Sequence, residues 1–135
     1  MDVALEILKK YKRIAVVGLS PDPSRASYGV TQYMISAAYD IVGVRPKEKT
    51  ILGRPCYSSL DEVPKPIEIV NIFRANEFVP EIVDEAIKVG AKAIWLQLGV
   101  FNDEAEKKAK DAGLLVVSDA CILVEHRRLR AMGKL

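Results

Sequence analysis

The chain reads as an α/β domain built on a single doubly wound parallel sheet of five strands. Two observations predict this. Short apolar runs alternate along the chain with longer segments of helical period, and strands that alternate with helices require parallel crossovers. The first run, Ile14–Val17, stops at Gly18, and a turn leads from there toward a helix. With 135 residues and 50% hydrophobic content, residues 1–135 form one domain with a core of its own.

The elements follow in order. Ala4, Leu5, Ile7 and Leu8 have helical spacing, so a first helix ends near Tyr11. Strand one is Ile14–Val17. A helix over about Tyr28–Ala38 sets Val30, Tyr33, Met34 and Ala37 on one side. Asp40–Val44 reads as strand two and Ile67–Phe73 as strand three. Phe78–Val89 is helical and closes at Gly90, a C-cap. Lys92–Leu98 is strand four. Asn102–Ala112 is helical, with Asn102 as N-cap and Gly113 as C-cap. Leu114–Val117 is strand five, and Ile122–Met132 is a last helix. The predicted architecture is Rossmann-like, with helices on both faces, and contains no internal repeat or low-complexity linker.

Composition excludes several classes. No run of about 18 apolar residues exists to cross a membrane. The N-terminus MDVALEILKKYKR places its charges after its apolar residues, the wrong order for a secretory signal. Only Cys56 and Cys121 are present, which reads as two reduced thiols of a cytoplasmic protein. One histidine and no Cys/His cluster speak against zinc. The C-terminal RRLRAMGKL is basic, but no aromatic residues interleave with it. It reads as a solvated or dimer-contacting helix, not a nucleic-acid arm.

In a doubly wound sheet, ligands sit outside the carboxyl ends of the strands. The turn Gly18-Leu19-Ser20 offers backbone amides there, close to a helix start, where phosphate is favoured. It is not the dinucleotide fingerprint, because Ser20 stands where a second glycine is needed, and no Gly-Lys-Ser/Thr ending makes it a Walker loop. The residues just after the strands include Arg25, Arg45, Lys47 and Arg74 against one acid, Asp119. Such a rim expects an anion. An NAD site usually carries Asp or Glu after strand two. Here Arg45 and Lys47 suit a phosphorylated ribose, either the 2′-phosphate of NADP or the 3′-phosphate of coenzyme A. The missing glycine favours coenzyme A.

VVGLSPDPSRASYGV (16–30), VRPK (44–47), LGRPCYSSLDEVP (52–64), GAKAIWLQLGV (90–100), AGLLVVSDAC (112–121) and EHRRL (125–129) together resemble the small stand-alone CoA-binding proteins. Their domain is similar to the N-terminal domain of the succinyl-CoA synthetase alpha subunit. The resemblance implies that Gly18, Leu19 and Ser20 hold the pyrophosphate, with Ser24, Arg25, Ser27 and Tyr28 nearby. It implies that Val44, Arg45, Pro46 and Lys47 hold the 3′-phosphate end. Ile72, Phe73 and Arg74, with Gln97, Leu98 and Gly99, would flank the adenine and the pantetheine arm. Arg45 and Leu19 depart from that family's common residues, a small polar residue and Ala.

The expected function is therefore non-catalytic binding of coenzyme A, an acyl-CoA or a CoA disulfide. The alternatives are an NADP-dependent oxidoreductase and a nucleotide-binding subunit whose partner supplies the chemistry; a homodimer is also open. Cys121 follows strand five, where a pantetheine thiol could reach, or is a small packing residue. Cys56 and Trp95 read as structural, Trp95 in the core or at an interface. His126 reads as a solvated or N-capping residue, and Glu125 as an ion-pair partner of Arg127 or Arg128.

Overall fold

The computed structural model describes residues 2–135. The chain runs α1 (Val3–Lys10), β1 (Arg13–Val17), α2 (Ala26–Ser36), β2 (Asp40–Val44), β3 (Thr50–Ile51), β4 (Arg54–Tyr57), β5 (Ile69–Ile72), α3 (Val79–Lys88), β6 (Ala93–Leu96), α4 (Asp103–Asp111), β7 (Leu115–Val117) and α5 (Ile122–Ala131). Single 3-10 turns lie at Leu60–Glu62 and Asn76–Phe78. The caps explain the helix ends. The Asp2 carboxylate accepts from Leu5 N–H to open α1. At α4, the Asn102 side chain accepts from Ala105 N–H while Glu106 reaches back to Asn102 N–H. Gly90 and Gly113, both at positive φ, close α3 and α4.

The sheet has seven strands in the order β3-β4-β2-β1-β5-β6-β7, not five. The five predicted strands all exist and pair in parallel. The two extra strands form a hairpin on the β2 side. β4 pairs parallel with β2, and β3 runs antiparallel to β4 as the edge. The hairpin was hidden because β3 is two residues long and β4 carries Pro55. Its turn also puts Leu52 at φ 55° and Gly53 at φ 71°, a pair of positive angles that Asn-Gly would normally advertise. Disregarding β3, the order corresponds to the 3-2-1-4-5-6 sheet of dinucleotide-binding domains, with the hairpin in place of one crossover helix.

The parallel strands β1, β2, β5 and β6 are buried on both faces apart from the first residues of β1 and β2, whereas β4 and β7, toward the edges, are only partly covered. Ile14 and Val16 point to one layer, with Ile7 and Leu8 of α1, Met34 of α2, and Ile122 and Leu129 of α5. Ala15 and Val17 point to the other, with Val79, Val83 and Ala86 of α3 and Ala105 and Ala109 of α4. Trp95 is fully buried in the first layer, and its indole N–H donates to the Ala120 carbonyl at 2.9 Å. It is a core residue that also pins the β7–α5 connection.

His126 is neither solvated nor a cap. It is 3% exposed and lies edge-on to the rings of Tyr33 and Tyr39. Its Nδ1 is 2.8 Å from the Tyr33 hydroxyl, while Tyr39 donates to the Leu8 carbonyl. Burial, then the nearby positive charges of Arg130 and Lys12, lower the His126 pKa below 6.5. Burial likewise pushes the Tyr39 phenol up to about 12. A histidine whose folded pKa is depressed takes its proton first in the unfolded chain. Stability should therefore fall as pH drops through about 6.5, and the slope should end below the folded pKa. Urea midpoints measured from pH 8 to pH 5.5 should show this decline. In His126→Gln the decline should be absent over that range, and a wild-type midpoint that rises on acidification would contradict the assignment.

Candidate functional site

The strand order reverses between β1 and β5, which opens a crevice at their carboxyl ends. A cavity of about 750 Å³ occupies it. Of the predicted residues, Gly18, Ser20, Arg25, Ser27, Val44, Arg45, Pro46, Phe73 and Arg74 line it. They come from four places: the β1–α2 loop, the first turn of α2, the end of β2 and the end of β5.

Gly18 is the pivot. It adopts φ +89°, and a Cβ there would lie 2.5 Å from the Phe73 carbonyl oxygen and 3.0 Å from Arg74 Cδ. Its N–H donates to the Val44 carbonyl at 3.0 Å, and Phe73 N–H donates to the Val17 carbonyl at 2.9 Å. Three chain segments thus meet on one glycine. This corrects one sequence expectation: the Gly18 amide is taken by the protein and is not free for a phosphate. The Ser20 N–H is also taken, by the buried Ser27 hydroxyl at 2.9 Å. Between Gly18 and Ser27, the amides of Leu19, Ala26 and Ser27 find no protein acceptor among the described residues, and the last two lie at the start of α2. The helix begins two residues earlier than predicted, so these two amides belong to its N-terminus. No acidic residue occupies that first turn, and Arg25, the N-cap, makes no side-chain cap. The terminus is open to an anion.

Pro21, Asp22 and Ala26 also line the cavity and were not among the predicted residues. Asp22 organises the loop. Its carboxylate accepts from both the N–H and the hydroxyl of Ser24, at 2.9 and 2.8 Å, and these bonds lower its pKa. The Pro-Asp-Pro-Ser run was the available signal, since Asp commonly bonds the backbone two residues on. Arg74 is held over the Phe78 ring, 4.3 Å from its centroid, which fixes one cation at the rim.

Other predicted residues fall outside the cavity lining. Leu19 and Ile72 are fully buried in the core and do not line the cavity. Ser24 is bound to Asp22, and Tyr28 packs against the first core layer. Lys47 is exposed, at φ +71°, in the turn after β2. Gln97, Leu98, Gly99 and Cys121 form a second group, at the ends of β6 and β7. The buried Gln97 Oε1 accepts from Ile122 N–H at 3.0 Å and so caps α5, whose N-cap residue, Cys121, provides no side-chain bond. Asp119 accepts from Gly99 N–H at 2.7 Å. Glu125 pairs with Arg128 at 3.0 Å, as expected. Cys56 packs under Gly43 and Leu19, and burial raises its thiol pKa. Among the described residues no group of three or more metal-ligating side chains forms.

A mostly parallel sheet whose strand order reverses at a glycine pivot, with an open helix terminus and three rim arginines beside it, defines a Rossmann-like α/β domain. The chain belongs to the CoA binding domain family, whose sequence pattern matches residues 12–127. It is 44% identical over 121 residues to the uncharacterized protein YneT of Bacillus subtilis, covering 90% of each chain. A hypothetical protein from Pyrococcus horikoshii superposes with a TM-score of 0.89 at 42% identity, over 96% of this chain and 93% of that one. The ADP-forming acetate–CoA ligase of Methanocaldococcus jannaschii is 29% identical over 114 residues. The chain spans only 16% of that ligase.

The geometry of Gly18 makes a prediction. Gly18→Ala places a methyl group against the Phe73 carbonyl at positive φ and should cost about 2–4 kcal/mol of stability. Gly29→Ala, inside α2 with nothing within 4 Å of the new methyl, should be neutral or stabilising by about 0.5–1 kcal/mol. Thermal or urea denaturation of the two variants checks the contrast, which vanishes if Gly18 is an ordinary turn residue.

Proposed function

We propose that this protein binds coenzyme A at the β1–β5 crevice and has no catalytic activity of its own. The observation that carries the reading is the conjunction of the open α2 terminus with Arg25, Arg45 and Arg74 around one cavity. In this reading the pyrophosphate lies against the Ala26 and Ser27 amides, where both the N–H groups and the helix dipole favour it. Arg45 follows β2 and meets the ribose phosphate, and a guanidinium matches phosphate oxygens with paired donors. The family membership supports coenzyme A over NADP as the phosphorylated ribose. The absence of a second glycine at Ser20 supports it too.

The relation to ADP-forming ligases favours a second role for the same site: presenting bound coenzyme A to a partner that holds the reacting groups. Among the described residues no arrangement resembles a catalytic constellation. Its one histidine is buried against two tyrosines, and Asp119 is engaged in holding a loop amide.

Two measurements test the reading. At about 100 times its dissociation constant, coenzyme A should stabilise the fold by about 2.7 kcal/mol, a shift of several degrees in Tm. NADP and NAD at equal concentration should not. A shift with NADP and none with coenzyme A sinks the proposal. Dephospho-CoA should bind about ten- to a hundredfold more weakly than coenzyme A, the loss of one charge-assisted contact. Arg45→Ala should weaken coenzyme A similarly and leave dephospho-CoA nearly unchanged. Calorimetry on this double cycle should give a coupling of about 1.5–3 kcal/mol, and a value near zero would make Arg45 an ordinary surface charge.

A further inference from the structure

The loop between β6 and α4 carries apolar side chains that the fold does not use. Leu98 is 72% exposed and Phe101 is 52% exposed, two of the four large hydrophobic residues that stand out in solvent among the described residues. Isolated exposed apolar residues are common and need no explanation. These two differ because the loop is rigid and neither position requires an apolar residue. Val100 N–H donates to the Gln97 carbonyl at 2.8 Å, closing a tight turn with Gly99 at φ +81°. Leu98 occupies the first central position of that turn, which accepts most residues. Phe101 precedes the N-cap of α4, where an apolar residue normally packs four positions into the helix. Counting from the Asn102 cap, that position is Glu106, whose carboxylate is bound to Asn102 N–H, so no such staple forms.

The loop is also tied to the segment that leaves the cavity rim. Phe101 N–H donates to the Asn76 side chain at 2.9 Å, and Asn76 lies in the turn that follows Arg74. The sheet sets the distance. Strands are about 4.8 Å apart, so the end of β6 lies about 10 Å along the sheet from Gly18, and the end of β7 about 14 Å. An extended pantetheine arm spans about 16 Å from phosphorus to sulfur at bond lengths near 1.5 Å. With the ribose phosphate on the β2 side, at Arg45, the arm leaves over β5 and β6. An arm of that length is long enough for its sulfur to pass this loop and reach the end of β7, so that an acyl group on it would start beside the loop.

We propose that Leu98 and Phe101 contact the acyl chain of the ligand, and that the class of ligand is a CoA thioester with an apolar acyl group of several carbons. The inference rests on the coenzyme A reading above and extends it to the far end of the molecule. A half-covered chain gains roughly half the transfer free energy of full burial. Affinity should therefore rise about fourfold for each added pair of methylenes.

The test is calorimetry with coenzyme A and with its acetyl, butanoyl, hexanoyl and octanoyl thioesters. The expected result is a stepwise rise in affinity along the series. Phe101→Gln should flatten the series, while Phe101→Leu should restore most of it. Equal affinities for all the thioesters would overturn the inference and leave the coenzyme A reading standing. A rise that persists unchanged in Phe101→Gln would also overturn it, because the chain would then lie elsewhere. Failure of every compound to bind, coenzyme A included, would overturn both.

Discussion

One close approach organises the carboxyl edge of this sheet. At Gly18 the backbone of β1 turns within reach of two neighbours, the end of β2 through Val44 and the end of β5 through Phe73. A side chain at Gly18 would push the Phe73 carbonyl away and separate β1 from β5 at the point where the strand order reverses. The crevice exists because the connections after β1 and β5 go to opposite faces of the sheet, α2 on one and α3 on the other, and the glycine lets the β1 loop approach β5 closely at that point. What a ligand meets there follows from this contact: the start of α2 on one wall, Arg45 and Pro46 on another, and Phe73 and Arg74 on the third.

The electrostatics are arranged in layers around that pivot. Two of the loop amides nearest the strand, those of Gly18 and Ser20, are satisfied internally, by Val44 and Ser27. The unsatisfied amides of Ala26 and Ser27 lie further along, at the start of α2, where the helix dipole adds to them. The cations stand outside both. Arg74 is fixed by stacking on Phe78, and Arg45 by a backbone bond from its N–H to the Tyr57 carbonyl of β4. The hairpin that replaces a crossover helix thus has a local task, since it holds the residue that follows β2. Asp22, the one acid in the cavity, is occupied with Ser24 and shapes the loop.

Much of this was legible in the sequence, for physical reasons. The five strands read from the sequence are short, mostly apolar runs, because both faces of the central ones are covered. The α4 ends carry Asn102 and Gly113, residues that helix termini select. The hairpin was not legible, because short strands with a proline and a Leu-Gly turn lack the usual signals. The candidate site was half legible. In this fold the strand ends are where a crevice opens, so Gly18, Arg45 and Arg74, which line it, could be named from position alone. Which amides are free could not, since that depends on tertiary bonds such as Ser20 to Ser27 and on a helix that starts at Ala26. His126 was misread for the same reason. Its neighbours in sequence are charged, whereas its neighbours in space are Tyr33 and Tyr39.

The Gln97 amide has a consequence for how the far end of the crevice responds to an occupant. Its oxygen completes the first turn of α5 by accepting from Ile122 N–H, and the same residue's backbone closes the turn that carries Leu98. To swing this side chain toward a guest, the protein would have to strand a buried helix amide without a partner, at about 1–3 kcal/mol. That cost makes the wall stiff. A molecule entering along β6 must conform to a surface already set, and selection there acts on the shape of the guest instead of on a rearrangement of the host.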